Sequence, residues 1–159
     1  MDEREYQRRV TECVPALYRA ARSILRNDQD CADAVQEAVF QGWVRRSQLR
    51  DDARLKPWLT RIVINECRNL QRSAFKQLRA VEASAVELRT PAPPEAVDLE
   101  AALSELPEKY RLPLVLHYAE GFATREIASM LEMPEGRLRQ RMHTARKLLK
   151  RRLGSDAQG

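Results

Sequence analysis

Hydrophobic residues recur at steps of three and four positions along most of this chain, a spacing that places them on one face of an α-helix. Val10, Leu17 and Ile24 lie on one such face near the start of the chain. They predict a first helix over residues 3–25. No segment shows the strict alternation of apolar and polar residues that is typical of a half-buried strand. The pattern therefore predicts an all-α protein.

A second helix is predicted after a polar interruption near residue 27. Asp28 or Asp30 can cap it, because a side-chain carboxylate accepts hydrogen bonds from the free N–H groups of the first turn. The helix is expected to reach residue 47, and its apolar stripe consists of Val35, Val39 and Trp43. Trp43 is interpreted as a core residue because it lies on that stripe.

A polar segment over residues 48–56 separates this helix from a third one. Pro57 suits the first position of the third helix, where its missing N–H has no helical acceptor to lose. The apolar residues of this helix are Trp58, Leu59, Ile62, Val63 and Leu70. For Trp58, core packing and a binding role both remain open. Residues 1–78 are expected to form a unit of three or more helices.

The hydrophobic periodicity fades over residues 79–97, which include three prolines between positions 91 and 94. Proline lacks a backbone donor and cannot continue a helix, so this segment is predicted to be a flexible linker. A second helical unit over residues 98–153 is expected beyond it, with a tail at 154–159. Its predicted helices are a short one at 98–106, one with Tyr110, Leu114 and Tyr118 on a shared face, and two over 124–131 and 134–153.

The last two predicted helices have the proportions of a helix-turn-helix, with small Ala128 where the two helices must cross closely. Their shared core is expected to consist of Ile127, Leu131, Leu138 and Met142. Arginine and glutamine side chains have the geometry to pair with guanine and adenine edges in the major groove of DNA. The candidates for the outer face of the second helix are Arg137, Arg139, Gln140, Arg141, His143 and Thr144. His143 could equally be a spectator, whereas His117 is interpreted as a packed core residue.

The distribution of charge supports a polyanionic partner more than the net charge of +5 does. Residues 137–152 contain eight basic side chains and no acidic one, and residues 41–79 contain ten basic and three acidic ones. Residues 1–40, in contrast, contain eight acidic and six basic side chains. Two nucleic-acid contacts and one contact of another kind are therefore expected. For residues 146–152, a solvated helical tail is an equal alternative to phosphate contact.

Several function classes lack their required residues. The three cysteines, Cys13, Cys31 and Cys67, form no CxxC pair and are interpreted as small apolar core residues. No Gly-rich phosphate loop, catalytic carboxylate pair or nucleophile with its base is present, so we expect no enzyme activity, no cofactor and no metal. No apolar run approaches the length of a membrane span, and the N-terminus is polar. A cytoplasmic protein without membrane insertion is therefore expected.

Both halves of the chain resemble the extracytoplasmic-function (ECF) sigma factors of bacterial RNA polymerase, in the family's order. The C-terminal half is similar to region four through Leu106-Pro107-Glu108-Lys109-Tyr110-Arg111, Leu114 to Tyr118, Glu120-Gly121 and Glu126-Ile127-Ala128. The N-terminal half resembles region two through the segment from Asp30 to Phe40 and through Trp58-Leu59, Ile62, Asn65 and Arg72. Three positions depart from the pattern: Glu132 replaces a turn glycine, Ala123 a capping Ser or Thr, and Asn69 a common aspartate.

The resemblance implies a sigma factor that binds core polymerase, through its clamp helices and flap, and promoter DNA. The region-four residues expected at the minus-thirty-five duplex are Arg137, Arg139, Gln140, Arg141, His143, Thr144, Arg146 and Lys147. Among them, Arg139, Gln140, His143 and Thr144 align with base-reading positions. The region-two residues expected to open and hold the minus-ten element are Arg50, Lys56, Trp58, Arg61, Asn65 and Arg68. The residues expected to contact polymerase are Asp30, Asp33, Gln36, Glu37 and Phe40. The resemblance also implies an anti-sigma partner.

Two other classes of function compete with this interpretation. A conventional helix-turn-helix repressor or activator would bind duplex DNA without polymerase. The second basic region, with Trp58 and Asn65 after a polar segment, argues against that class. A helical protein-interaction module with basic faces would ignore DNA even at low salt.

Overall fold

The computed structural model describes residues 1–80 and 97–158, and it contains helices and turns but no strand within those ranges. One compact unit contains α1 (Glu3–Ile24), α2 (Asp28–Val44) and α3 (Leu55–Ala80). A second compact unit contains α4 (Val97–Glu105), α5 (Glu108–Leu114), α6 (Thr124–Met130) and α7 (Glu135–Gln158). The predicted all-α class is confirmed. Most of the predicted linker, including its prolines, lies outside the described residues.

The helix boundaries of the first unit follow from local capping. The Asp2 carboxylate accepts a hydrogen bond of 2.8 Å from the Glu5 N–H and caps α1. The predicted cap of α2 was wrong, because Asn27, rather than Asp28 or Asp30, accepts from the Asp30 N–H. The two aspartates instead lie in the first turn, where the partial positive charge of the helix terminus favours carboxylates. α2 also ends at Val44, earlier than predicted.

A face of small residues lets α2 pack closely against its neighbours. The buried residues of α2 are Cys31, Ala34, Val35, Ala38 and Gly42, whereas the predicted stripe residues Val39 and Trp43 are only half-buried. A Cβ atom at Gly42 would lie 2.5 Å from both the Leu59 Cδ2 and the Tyr6 hydroxyl. That hydroxyl donates a 2.6 Å hydrogen bond to the Val39 carbonyl, and burial raises the pKa of Tyr6 to about 12.

α3 begins earlier than predicted. Its first residue is Leu55, which is buried and follows a 3-10 turn at Asp52–Arg54. Pro57 is therefore the third residue of the helix, still within the first turn, where a missing N–H removes no helical hydrogen bond. The fully buried positions of α3 extend only as far as Cys67, and residues 72–75 are exposed. The C-terminal turns of α3 therefore continue past the core of the first unit.

The second unit contains a buried arginine that joins α4 to α5. Arg111 is 6% exposed, and its Nη1 donates to the carbonyls of Ser104 at 3.3 Å and of Leu106 at 2.9 Å. Carbonyls at the C-terminal end of a helix lack helical donors, so this guanidinium supplies partners where α4 ends. Arg111 is thus a structural residue, although it belongs to a segment that resembles a functional family motif.

A π-helical turn at Val115–Ala119 follows α5 and changes its register. Such a turn adds a residue to the helical repeat. Leu116 is buried, whereas Tyr118 is 64% exposed. Of the predicted shared face, Leu114 is buried and Tyr110 is half-buried, and Leu114 and Tyr118 both line a groove at the surface of this unit. His117 is half-buried, and its Nδ1 forms a 2.9 Å hydrogen bond with the Phe122 carbonyl.

The helix-turn-helix is formed by α6 and α7, and its predicted core of Ile127, Leu131, Leu138 and Met142 is confirmed as buried. α6 ends in a Schellman motif, in which the Glu132 N–H donates to Ser129 and the Met133 N–H donates to Ala128. This motif requires the left-handed conformation at Glu132, whose φ is 54°. Glu132 stands where the resembled family has a turn glycine. In the left-handed conformation that this turn requires, glycine would have a lower conformational cost than glutamate.

The N-terminus of α6 has half of a capping box. The Glu126 carboxylate accepts a 3.2 Å hydrogen bond from the Ala123 N–H, but the Ala123 side chain has no oxygen to return one to the first turn. The departure at Ala123 thus removes one capping hydrogen bond without preventing the helix from starting there.

We expect Gly42→Ala to destabilise the first unit by up to about 2 kcal/mol. Overpacking a tight core costs about 1 to 3 kcal/mol, and the better helix propensity of alanine offsets about 1 kcal/mol of that loss. Both tryptophans of the chain, Trp43 and Trp58, lie in this unit, so urea unfolding followed by tryptophan fluorescence reports on it specifically. Ser73→Ala, at an exposed position of α3 in the same unit, is the control. An unchanged midpoint for Gly42→Ala would contradict this account of the packing.

We expect Glu132→Gly to stabilise the second unit by about 1 kcal/mol, because a Cβ atom in the left-handed region costs roughly that amount. Glu132→Ala keeps the Cβ atom and removes the rest of the side chain, so the difference between the two variants isolates the backbone effect. Hydrogen exchange of the α6 amides measures this difference in the stability of the second unit. Equal protection in the glycine and alanine variants would show that the backbone at this turn is not strained.

Candidate nucleic-acid and polymerase interfaces

The outward face of α7 is opposite its buried stripe. Leu138, Met142 and Ala145 are buried against the rest of the second unit. The exposed residues of the opposite face include Gln140, His143, Thr144 and Lys147. Four of the eight side chains that the sequence predicted at duplex DNA therefore lie together on one solvent-facing surface, which presents donors and acceptors together with a positive charge.

The remaining four predicted residues flank this face and differ in their surroundings. Arg137 and Arg139 are exposed, and Arg139 forms an ion pair of 2.7 Å with Glu135 one turn earlier. Arg141 is half-buried, and its Nη1 lies 3.7 Å from the Met133 Sδ in the turn before α7. An exposed ion pair contributes little stability, so Arg139 can exchange Glu135 for a DNA partner at low cost.

Arg146 has a different environment from the other seven residues. Its Nε donates a 2.7 Å hydrogen bond to the Tyr118 hydroxyl, and its guanidinium carbon lies 5.8 Å from the centre of that ring. Tyr118 in turn contacts the His117 ring edge-on, with a centroid distance of 4.8 Å. In this conformation the side chain of Arg146 is directed toward the residues after α5 and not toward the outward face of α7.

An apolar groove, which the sequence analysis missed, lies beside Arg146 in the second unit. Its volume is about 740 Å³, and its apolar lining includes Leu99, Leu103, Leu114, Val115, Tyr118 and Leu149. Arg146 and Lys150 also line it. The four-residue spacing of Leu99 and Leu103 on α4 was the one local signal for it. The groove is suited to an apolar partner segment that carries acidic residues at its edge.

The polar segment before α3 is ordered by contacts with α1 and α2. It contains two 3-10 turns, at Arg46–Gln48 and Asp52–Arg54. Arg9 of α1 donates from Nη1 to the Asp52 carbonyl at 3.3 Å. The Arg46 guanidinium lies 3.7 Å from the centre of the Trp43 ring. Trp43 also contacts the buried Tyr6 ring, at a centroid distance of 5.3 Å, but it is half-buried and not fully within the core as predicted.

The outward face of α3 carries three of the six predicted minus-ten residues. Arg61 and Asn65 are exposed and Arg68 is half-buried, at steps of four and three residues along one side of the helix. Lys56 and Trp58 are half-buried in the first turns of the helix. The Trp58 ring approaches Gly42, where its Cζ3 would lie 3.5 Å from an added Cβ atom, so this residue is part of the packing and partly accessible.

Arg50 is exposed in the segment between the two 3-10 turns, on a different element from the other five residues. Its position depends on how those turns pack and not on the face of α3. The structure therefore brings the six minus-ten candidates onto two adjoining elements of one unit and not onto a single helix.

The outward face of α2 is acidic and apolar. Asp33, Gln36 and Glu37 are exposed, Asp30 is half-buried, and Phe40 is 60% exposed. Val44, one turn after Phe40, is 58% exposed and extends the apolar part of this face, a feature that the sequence analysis missed. Glu66 of α3 adds a carboxyl group whose pKa is raised, first by burial and then by the charge of Glu37. This face is suited to a basic protein surface with an apolar recess.

All three cysteines are buried, as their interpretation as core residues predicted. Burial raises the pKa of Cys31 to about 11 and also raises that of Cys13, which favours the unreactive thiol form. Within residues 1–80 and 97–158, no group of His, Cys, Asp and Glu side chains is arranged to hold a metal ion. No helix in these ranges combines the length and apolar character that crossing a membrane requires.

Comparisons with known families match both units. Residues 9–76 match the family model of Sigma-70 region 2, and residues 96–149 match that of Sigma-70, region 4. The chain is 33% identical, over 140 residues, to the ECF RNA polymerase sigma factor SigM of Mycobacterium tuberculosis, with 87% of this chain and 71% of that protein covered. A Xanthomonas campestris protein named as an RNA polymerase sigma factor, RfaY, is 30% identical over 163 residues. The match covers 95% of this chain but only 41% of RfaY.

A solved structure resembles the fold. It is the co-crystal structure of the sigma factor RpoE in complex with the anti-sigma factor NepR from Bartonella quintana. The similarity has a TM-score of 0.85 at 23% sequence identity and covers 96% of this chain and 98% of that one. The two family models, found in sequence order, and the SigM relative establish that this chain belongs to the ECF RNA polymerase sigma factors.

Proposed function

We propose that this chain binds core RNA polymerase and directs promoter-specific initiation. The observation that carries the proposal is the combination of two outward basic surfaces, on α3 and α7, with a separate acidic and apolar face on α2. A conventional regulator needs one DNA surface, whereas a sigma factor needs duplex binding, strand opening and a polymerase contact. The chain itself performs no covalent chemistry in this proposal and needs no cofactor, because the polymerase supplies the active site.

The domain assignment follows from this division of labour. Residues 1–78 are assigned to region 2 and residues 98–153 to region 4, with a linker at 79–97 and a tail at 154–159. The protein acts where the polymerase acts, in the cytoplasm.

Region 4 would bind the minus-thirty-five element as duplex DNA through the outward face of α7. Arg139, Gln140, His143 and Thr144 are the proposed base-reading residues, since their side chains project near the start of the recognition helix. Arg137, Arg141 and Lys147 are proposed to neutralise phosphates and set the register. Arg146 would join them only after releasing the Tyr118 hydroxyl, and its present contact supports a role at the groove as well.

Region 2 would open and hold the minus-ten element. Single-stranded DNA needs a basic track for its backbone and planar surfaces for unstacked bases, and flipping a base costs a few kcal/mol that a pocket must return. Arg61, Asn65 and Arg68 form such a track along α3. Arg50, Lys56 and the accessible edge of Trp58 adjoin it from the turn segment and the first turns of the helix.

Two surfaces are proposed to bind proteins. The acidic face of α2 would dock on the clamp helices of the polymerase. To complement this face, the polymerase surface must be basic and apolar. The residues of the face are Asp30, Asp33, Gln36, Glu37 and Phe40. The groove of the second unit would receive the flap of the polymerase. An anti-sigma factor that covers either surface would block the polymerase contact proposed there. The similar RpoE structure, which holds an anti-sigma factor, supports that form of control.

Run-off transcription with purified core polymerase is the first test of this function. On a library that includes the promoter upstream of its own gene, we expect transcripts that depend on the protein and start downstream of a two-part promoter. Pull-down of core polymerase by the protein is measured in parallel. Failure to bind core polymerase, combined with protection of a palindromic duplex by the protein alone, would establish a conventional regulator instead.

Two alanine variants should separate the two DNA-binding units. We expect Arg139→Ala to weaken binding to the minus-thirty-five duplex, with a loss of about 1 to 3 kcal/mol if its base contact is bidentate. We expect Asn65→Ala to leave that binding intact and to reduce open-complex formation, measured by permanganate reactivity of unpaired thymines.

Arg151→Ala is the matched control for Arg139→Ala, because it removes one exposed positive charge from the same helix outside the proposed base-reading set. Equal losses for the two arginine variants would indicate a purely electrostatic contribution. Normal permanganate reactivity with Asn65→Ala would exclude Asn65 from promoter opening.

A further inference from the structure

Arg9 of α1 is hydrogen-bonded to the turn segment, which here means residues 46–54 between α2 and α3. Its Nη1 donates to the Asp52 carbonyl at 3.3 Å, across 43 positions of sequence. The backbone N–H of Leu55, the first residue of α3, donates to the same carbonyl. A carbonyl oxygen has two lone pairs and can accept both hydrogen bonds. One backbone atom therefore joins α1, the second 3-10 turn and the start of α3.

The guanidinium of Arg9 is oriented by a residue of its own helix. Glu5, one turn earlier, forms an ion pair of 3.0 Å with the Arg9 Nη2, and a glutamate that precedes its basic partner by four residues has the favourable order in a helix. The Arg9 Nε is buried and has no hydrogen-bond partner among the described residues. A buried donor without a partner is unfavourable, so this orientation depends on the contacts that the two Nη atoms make.

The hydrogen bonds inside the turn segment are local. The Gln48 and Leu49 amides each donate to the carbonyl three positions earlier. The Asp51 carboxylate accepts a 3.0 Å hydrogen bond from the Ala53 N–H. Contacts over two or three positions determine the shape of a turn, but they do not determine where the turn lies against the neighbouring helices. The hydrogen bond from Arg9 supplies that second kind of information.

We propose that Arg9 is a positioning residue of the minus-ten surface, because it holds the turn segment against α1 and so places Arg50 beside the outward face of α3. The proposal rests on the function proposed for region 2. Arg50 is exposed and lies two positions before Asp52, so a displaced Asp52 carbonyl moves Arg50 with it. Asn65, in contrast, lies on a helix that its own buried residues hold in place. Arg9 is half-buried and acts through Arg50, without contacting DNA itself.

The salt dependence of DNA binding distinguishes positioning from a general loss of structure. Each phosphate contact with single-stranded DNA contributes about 0.7 to the magnitude of the slope of log affinity against log salt concentration. Holoenzyme affinity is measured at several salt concentrations on the promoter found by run-off transcription, prepared with an unpaired minus-ten element. We expect Arg50→Ala to reduce the magnitude of this slope by about 0.7. Arg9→Met should reduce it by a similar amount, because Arg50 is then displaced.

A double-mutant cycle identifies the residue through which Arg9 acts. Adding Arg50→Ala to Arg9→Met should cause little further loss of affinity, because the first substitution has already removed that contact. Adding Asn65→Ala should instead lower the affinity by the same factor as it does in the wild-type protein. Additive losses for Arg9 and Arg50 would overturn the positioning role and leave the minus-ten surface intact. No loss with Arg50→Ala alone would overturn this proposal together with the DNA contact assigned to Arg50.

Arg8→Met is the matched control, because Arg8 is an exposed arginine next to Arg9 on the same helix. It should leave both the slope and the affinity unchanged, and a loss equal to that of Arg9→Met would indicate a general charge effect and overturn the proposal. Methionine at position 9 keeps the apolar part of the side chain and removes the unpaired donor. The urea midpoint of the first unit and the affinity for core polymerase should therefore stay near their wild-type values. If Arg9→Met lowered core affinity by the same factor as DNA affinity, Arg9 would support the whole unit and the positioning role would be excluded.

Discussion

The close approach of α2 to its neighbours at Gly42 is the constraint on which the first unit depends. Only a residue without a Cβ atom leaves room there for both the Leu59 side chain and the Tyr6 hydroxyl. This contact fixes which side of α2 faces inward, and the rotation of α3 is fixed with it. The opposite sides must then face solvent, and they carry the acidic residues of α2 and the basic residues of α3. The orientation of both surfaces thus follows from the close packing of small residues on the opposite sides of the helices.

The second unit orients its recognition helix by a different combination of contacts. Ala128 and Ala145 are small and buried, which allows α7 to approach the other helices closely. Arg111 provides donors where α4 ends, and the Schellman motif at Glu132 ends α6 so that α7 can leave at a new angle. The outward residues of α7 are therefore positioned by backbone hydrogen bonds and close packing on its other side. Their own side chains remain available for a ligand.

Hydrophobic spacing predicted the helices and most of the core, since burial of one face is a property of the local sequence. It predicted Leu17, Leu59 and Met142 as inward-facing for that reason. Features that depend on a shift of one residue along a helix were missed. The cap of α2 at Asn27 lies one position before Asp28, the nearer of the two predicted caps, and the π-helical turn at Val115–Ala119 has no signal in the hydrophobic spacing. Leu55 was missed because a lone apolar residue in a polar segment has no periodicity.

The candidate surfaces were predictable to different extents. The outward face of α7 followed from its charged residues and helical spacing, whereas the groove required knowledge of which sides of α4 and α7 meet. The contact between Arg146 and Tyr118 joins residues 28 positions apart and has no local signal. Val44 and Phe75 were missed because exposed apolar residues resemble core residues in a sequence. Their exposure became apparent only when the packed sides of α2 and α3 were known.

The extension of α3 past its core has a thermodynamic consequence. Buried side chains hold the helix as far as Cys67, but the turn around Phe75 depends mainly on propagation of the helix from that buried part, which is a marginal source of stability in water. Local unfolding of a helix end costs far less than global unfolding of a domain. Any ligand that binds only the helical form shifts this fraying equilibrium by mass action. Binding of a ligand to this segment would therefore contribute its free energy to the ordering of the polypeptide as well.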